Sequence, residues 1–236
     1  MTEYDFQHFS ESKIKRRISL GAEMPEWYFT NELLNKDAFL IDTDCLAAVI
    51  ADGVNSVNQG GRASGLVSMS ILTSFKEYYQ LLRSKVGVDI EIEDLVRTAL
   101  QNANAEMLSL FDSFPEYGFL ATTVDACFIH DDIAHIGHVG DSRVYYLAHD
   151  SDALEQLTTD HSVLPANFRG LTEDKKFIVE VRAMLANYVG GNEMYPDYVS
   201  RAMSPGDIIF MATDGVIKCL KPETICNSLR QSMQRS

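Results

Sequence analysis

Two long amphipathic segments stand side by side in the first half of this chain, and they constrain the fold more than any other feature. From Arg62 to about Val86 apolar residues recur at helical spacing, with Leu66, Met69, Ile71, Phe75, Tyr78 and Leu82 in the series. A second segment, from about Glu91 to Phe114, carries Leu95, Ala99, Ala103, Met107 and Leu110 along one side. Short strand-like runs flank this helical pair. Residues 39–51 read as two strands joined by a turn at Asp42-Thr43-Asp44. After the helices come "TTVDACFIH", "IAHIGHV" and "RVYYLAH", separated by turn signals at Asp131-Asp132 and Gly140-Asp141, which predicts an antiparallel meander. Residues 165–191 mix charges with short apolar pieces and read as an insertion or flap. A Pro-Gly turn and a strand follow in "AMSPGDIIFMATDG", and the last segment predicts a helix with Pro222 in its first turn. Strands, then helices, then strands predict an α+β fold, a four-layer α-β-β-α sandwich of two antiparallel sheets flanked by helices, in one domain spanning 1–236.

Composition narrows the function. A formal net charge of -14 argues against a nucleic-acid partner, because phosphate backbones reward clustered Lys and Arg. No apolar run reaches the ~20 residues that span a bilayer, and the N-terminus lacks a basic-then-apolar leader, so the expectation is a cytoplasmic protein with no membrane partner. The cysteines at 45, 127, 219 and 226 have no CxxC spacing and predict neither a zinc site nor a disulfide framework.

Three acidic residues stand where apolar runs break. "CLAAVIADGV" ends in Asp52-Gly53, "IIFMATDG" ends in Asp214-Gly215, and Gly140-Asp141 interrupts "HIGHVGDSRVYYL". Any one of them alone is most simply a turn, since Asp and Gly are the commonest turn formers. Repeated behind buried-looking strands, they point to a site of converging acidic loops. Hard divalent cations such as Mg²⁺ and Mn²⁺ take oxygen ligands and need only one or two carboxylates each. Asp52 is the candidate to bridge two such ions, with the Gly53 backbone carbonyl as a further ligand. Two ions about 3.5–4 Å apart activate a water for attack on a phosphoryl group without a protein nucleophile. The chain has no P-loop, HExxH or GxSxG pattern to suggest other chemistry.

The ordered set "NKDAFLID", "VIADGV", "TTVDACFIH…AHIGHVGDSRVYYL", "LTTDHS" and "SPGDIIFMATDG", across about residues 30–220, resembles the metal-dependent type-2C Ser/Thr protein phosphatases, the PPM family. The resemblance implies a two-metal Mg²⁺ or Mn²⁺ centre, with Asp52 the bridging aspartate, Gly53 its carbonyl partner, Asp37 a direct or water-mediated ligand of one ion and Asp214 a ligand of the other. Asp141 matches a residue that helps bind a third, weaker ion. Arg143 is expected to brace its strand and loop, and Thr123 and His161 to be structural. A phosphorylated protein is the implied substrate, with a Ser/Thr kinase or its targets as candidate partners.

Several departures accompany the match. The arginine that the family places about five residues before Asp37 is replaced by Glu32 and Leu33, which leaves the phosphate-binding residue unknown, with Arg16, Arg17 and Lys36 as candidate replacements. Asn55 and Ser56 stand where a glycine pair usually follows the bridging Asp-Gly. The family's final Asp-Asn motif, with its metal aspartate, is absent before Ser236, so the expectation is a C-terminally short domain with one more weakly held ion and an exposed sheet edge. The leading reading is a phosphoprotein phosphatase acting on phospho-Ser and phospho-Thr by metal-activated water. The alternative is a weak or inactive phosphatase-like domain serving as a binding or regulatory module. His135 and His138 are expected to be packing or surface residues, Trp27 and Tyr28 core aromatics, and the acidic run at 89–94 a solvated helix start.

Overall fold

The computed structural model describes residues 3–5, 17–19, 36–54, 60–84, 91–114, 120–163 and 185–234. Two short N-terminal strands, β1 (Glu3–Asp5) and β2 (Arg17–Ser19), pair with each other. The main sheet contains β3 (Asp37–Asp42), β4 (Ala47–Val54), β6 (Val124–His130), β7 (Ile133–Val139) and β10 (Asp197–Ala202), in the order β10-β7-β6-β4-β3. β5 (Ala121–Thr122) pairs with the end of β4. A smaller sheet, β11-β8-β9, is formed by β8 (Arg143–Leu147), β9 (Glu155–Gln156) and β11 (Ile208–Ala212). All of these pairs are antiparallel. Helices α1 (Gly60–Arg83) and α2 (Ile92–Ser113) cover the main sheet, and α3 (Asp214–Cys219) and α4 (Pro222–Gln234) follow β11.

The two-residue period of the strands builds two cores. On β6, Val124, Ala126 and Phe128 join the core beneath the helices, with Val49 of β4, Ile71 and Phe75 of α1, and Val96 and Leu100 of α2. The alternate residues Cys127 and Ile129 join a second core with Ile136 of β7, Val144 of β8, Val199 of β10 and Met211 of β11. That core bonds one sheet to the other. Phe128 anchors the first, with its ring centroid 5.5 Å from Phe75 and 6.2 Å from Tyr78. Gly137 on β7 lets α2 come close, since a Cβ there would stand 2.6 Å from Val96 Cγ1. At the far end, Arg230 of α4 donates to the carbonyls of Ala148, His149 and Ser151, fastening the last helix to the β8–β9 connection.

The helices agree with their expected bounds to within a few residues, but the buried face of α1 is rotated. Ala63, Val67, Ile71, Phe75 and Tyr78 form it, while Leu66 and Met69 are exposed. The first hairpin turns at residues 43–46, one step later than the Asp42-Thr43-Asp44 reading, with Leu46 at φ 54. Asp42 begins that turn, accepting from the amides of Asp44 and Cys45.

The predicted meander is only half present. Asp131 and Asp132 do turn β6 into β7, both with positive φ (46 and 60), as a two-residue hairpin requires. Gly140-Asp141, however, is a crossover: β8 leaves the main sheet and pairs with β11 and β9. The neighbour of β7 is instead β10, a strand absent from the sequence reading. Its half-exposed Asp-Tyr-Val-Ser-Arg-Ala run lacks the strong apolar alternation of the others. Most of the predicted flap, along with Trp27, Tyr28, Glu32, Leu33, Asn55 and Ser56, lies outside the described residues. Among the described residues, no helix is long and apolar enough to cross a membrane.

Candidate metal centre

The acidic residues gather at one end of the sandwich because four chain passages end or turn there. Asp37 opens β3 and Asp52 lies near the end of β4, and the antiparallel register places them directly opposite each other. Opposed residues of an antiparallel pair share a face, so two carboxylates stand side by side. Like charges in that position repel and are retained only where something else compensates. Asp214, the first residue of α3, joins them from the end of β11. Burial, and then the charges and hydrogen-bonding contacts of Asp37 and Asp214, push the Asp52 carboxyl up to about 8. Asp141, at the crossover into β8, is also raised, by burial first and then by Asp214, with Lys218 acting in the opposite direction.

Buried hydroxyls hold the backbone of Asp52 from both sides. Its amide donates to Thr123 Oγ1 at 3.0 Å, and its carbonyl accepts from the Thr123 amide at 2.9 Å and Thr122 Oγ1 at 2.8 Å. Thr123 Oγ1 also meets Ser142 Oγ at 2.8 Å, which ties the bridge candidate to the Asp141 loop. The Gly53 amide donates to the Lys36 carbonyl at 2.9 Å, joining the start of β3 to the end of β4. Thr213 Oγ1 donates to Asp37 Oδ2 at 3.0 Å, so the N-cap residue of α3, just past β11, orients a carboxylate of the large sheet.

A second layer of contacts holds the crossover. Arg143 forks onto Asp160, Nε to Oδ1 and Nη2 to Oδ2, both at 2.7 Å. The Gly140 amide donates to His161 Nδ1 at 3.1 Å, which leaves the His161 proton on Nε2, facing Asp197 Oδ2 at 3.0 Å. Gly140 has φ +118, and a Cβ there would lie 2.5 Å from Thr123 Cβ. Gly140→Ala is therefore expected to cost about 1–3 kcal/mol from backbone strain and to displace Thr123 from Asp52. A fall in the urea midpoint with unchanged m, together with reduced activity, checks this.

The sequence-derived candidates thus come together in space: Asp37, Asp52, Asp214 and Asp141 share one cluster, with Gly53 on the same strand as Asp52. Lys36 contributes a backbone carbonyl here, and the side chains of Arg16 and Arg17 lie outside the described residues. Thr122, Ser142, Thr213 and Lys218 were not anticipated. Only Lys218 left a readable sign, its i,i+4 spacing from Asp214.

The donor set is all oxygen, and its carboxylates oppose one another's ionisation, which suits a hard cation. Among the described residues no group of three or more His, Cys, Asp or Glu side chains is arranged so that it could by itself hold a metal ion. Mg²⁺ and ions like it keep several waters and take one or two carboxylates from the protein, so an open cluster of this kind fits them.

Fold and cluster together define a class: an antiparallel β-sandwich with helical cover and converging carboxylates at one end. The family model described as Protein phosphatase 2C matches residues 29–236, and the chain belongs to that family. It is similar to a Streptococcus pyogenes protein described as protein phosphatase 2C-type, with 24% identity over 204 residues, 85% of this chain and 77% of that one. A serine/threonine phosphatase stp of Listeria monocytogenes is 31% identical over 116 residues, 49% of this chain and 43% of its own length. Among solved structures, the catalytic domain of the serine/threonine protein phosphatase PstP, in complex with two manganese ions, superposes with TM-score 0.63 at 20% identity, covering 83% of this chain and 78% of that one.

Proposed function

We propose that this chain hydrolyses phosphoserine and phosphothreonine in proteins, at a two-ion Mg²⁺ or Mn²⁺ centre built on Asp52. The observation that carries this reading is the Asp52 carboxyl, opposed to Asp37 across the strand pair and pushed up to about 8 by burial, Asp37 and Asp214. Asp37, Asp52, the Gly53 carbonyl and Asp214 are the ligands in this reading. Bound divalent ions would supply polarisation of the phosphoryl group and a water acidic enough to attack near neutral pH.

The protein's own part is positioning. The Thr122 and Thr123 hydroxyls fix the backbone from which Asp52 projects, and Thr213 turns Asp37 toward the cluster. Covalent thiol chemistry is disfavoured at the two cysteines of the sandwich: burial above all pushes both Cys45 and Cys127 up to about 12. A phosphorylated protein, made by a Ser/Thr kinase, is the substrate that suits this centre.

The test is phosphate release from a phosphothreonine peptide with Mn²⁺ or with EDTA. Turnover is expected with Mn²⁺ and none with the chelator. Equal release in both, or none from folded protein at saturating Mn²⁺, would overturn the proposal.

A further inference from the structure

One row of residues crosses the acidic end of the main sheet. Asp37 faces Asp52 in the β3–β4 register. Carried one or two residues past their last pairs, the β4–β6, β6–β7 and β7–β10 registers set Asp52 against Thr123, Thr123 against Gly140, and Gly140 against Tyr195. The contacts follow the same order. The Thr123 amide donates to the Asp52 carbonyl, and a Cβ on Gly140 would run into Thr123. His161 Nδ1 accepts from the Gly140 amide and also faces Asn187 Nδ2 at 3.1 Å, and Asn187 in turn holds Tyr195. Tyr195 therefore ends the row three strand spacings from Asp52, a distance of about 14 Å.

The Tyr195 side chain is unusual in being exposed on a fastened segment. It is 69% exposed, yet both of its backbone groups are held. Its carbonyl accepts from Asn187 Nδ2 at 2.6 Å, and its amide donates to Asn187 Oδ1 at 3.2 Å. The carbonyl of the next residue, Pro196, accepts from Arg97 Nη1. Upstream, Val189 exchanges both backbone hydrogen bonds with Thr122, and the buried Asn104 of α2 binds the Gly190 amide and the Gly191 carbonyl. A single exposed aromatic is ordinary. One whose backbone is ordered in advance, level with Asp52, is a prepared contact surface. Its surroundings are acidic: Glu193 and Asp197 are exposed two residues to either side, and residues 185–197 contain no Lys or Arg. Tyr79, Tyr146 and Tyr198 each have an arginine guanidinium over the ring, whereas among the described residues Tyr195 has none. An open aromatic face beside a carboxylate suits a guanidinium, by ring attraction and by charge.

We propose that Tyr195, beside Asp197, is a subsite for an arginine of the phosphoprotein substrate about four residues from the phosphorylated one. The proposal rests on the reading of the Asp52 cluster as the phosphatase centre and adds the sequence context of its substrate. The spacing follows from geometry: an extended peptide rises about 3.3–3.4 Å per residue, so four residues cover the distance from Asp52 to Tyr195.

The experiment measures Mn²⁺-dependent phosphate release from phosphothreonine peptides with one Arg four residues before the phosphothreonine, four residues after it, or next to it. Each is compared with the same peptide carrying Ala or Leu at that position. Arg at four residues on one side is expected to raise kcat/KM by about two- to fivefold over both, through KM, because a remote contact binds ground and transition states alike. Arg next to the phosphothreonine should give less. Tyr195→Ala should bring the Arg-to-Ala ratio close to one, and Tyr195→Phe, which keeps the ring face, should retain it. Equal kcat/KM for Arg and Ala peptides in the parent overturns the proposal, as does an equal gain from Leu or from the adjacent Arg. So does a preference that survives Tyr195→Ala in protein shown by circular dichroism to be folded, or a loss in that variant that falls on all peptides alike. If the folded parent releases phosphate from none of the peptides at saturating Mn²⁺, the phosphatase reading falls and this subsite with it.

Discussion

Asp52→Asn is expected to abolish Mn²⁺-dependent phosphate release while raising the melting temperature of the protein prepared in EDTA. The two effects have one origin. Asp52 faces Asp37 across the strand pair and meets Asp214 as well, so its charge is opposed by burial and by both neighbours. Without a cation that arrangement costs stability; in the proposed metal-centre reading a bound cation would offset that cost. Losing a partner behind a metal ligand typically costs about 10–100-fold in metal affinity or activity. In the proposed reading Asp52 is itself a ligand, so its loss should cost at least the upper end of that range, about 100-fold.

The pH dependence of stability follows from the same shift. The folded-state value of about 8 exceeds the unfolded value of about 4. Folding therefore holds a proton that the unfolded chain has released. This contribution is fully present below about pH 4 and is lost as pH rises through about 8. In EDTA the parent should thus lose stability across that window, and the variant should lose less. A chain of this size shifts by about 2–4 °C for each kcal/mol, so a gain of several degrees at pH 8 is within easy reach of calorimetry. Saturating Mn²⁺ should reverse the order by stabilising only the parent, by about 2.7 kcal/mol at 100 times Kd. Retention of turnover within tenfold of the parent would remove Asp52 from the centre.

The second large effect is expected away from the cluster, at a buried ion pair. Asp125 and His138 lie opposite each other on β6 and β7, are 0% and 1% exposed, and share a 2.6 Å contact between Oδ1 and Nδ1. His138 Nε2 faces the Thr159 carbonyl at 3.0 Å; a carbonyl only accepts, so Nε2 carries its hydrogen. The Asp125 contact therefore holds one further proton between its two atoms, and the pair is neutral as a whole. Burial alone would lower His138, but the charge and hydrogen bond of Asp125 raise it above its ordinary value.

His138→Ala should cost about 3–5 kcal/mol, because it strands a carboxylate in the core. Asp125 Oδ2 makes no hydrogen bond among the described residues that could compensate. The expected loss is roughly 6–20 °C in melting temperature. Asp125→Val/His138→Leu should be less damaging than His138→Ala, because no uncompensated charge remains. The stabilisation that His138 gains from Asp125 is fully present below about pH 6.5 and is lost as pH rises through its higher folded value. The pair also reaches the acidic cluster indirectly. His138 holds Thr159, the next two residues, Asp160 and His161, hold Arg143 and Gly140, and these flank Asp141. A loss of less than about 1 kcal/mol in His138→Ala would show the pair to be replaceable packing.

Most of the helical cover was legible, because a period of 3.6 sustained over more than twenty residues has few competing explanations. Which side of α1 faces inward was less so. Leu66 and Met69 are as apolar as Val67 and Ile71, and only the sheet beneath decides which row is buried. The strands of the main sheet were visible wherever both faces are covered, as on β6. β10 escaped because an edge strand buries little and keeps its polar residues. The β7–β8 junction shows the limit most clearly. A Gly-Asp pair between two apolar runs has the same local appearance whether the strands fold back on one another or part to join different sheets. Glycine at 140 is required by its positive φ and by Thr123 in either case.

From the sequence alone came the residue types and their positions at strand ends: Asp37, Asp52, Gly53, Asp141 and Asp214, the oxygen chemistry they share, and the family they resemble. These are local properties, carried by a few residues around each aspartate. Only the tertiary structure decided that Asp37 and Asp52 are opposed in register, that Thr213 reaches across to Asp37, and that Thr123 ties Asp52 to Ser142. Those relations depend on how two sheets stack and where the chain crosses between them. Each joins residues from separate chain passages, and so no short stretch of sequence encodes the energies that hold them together.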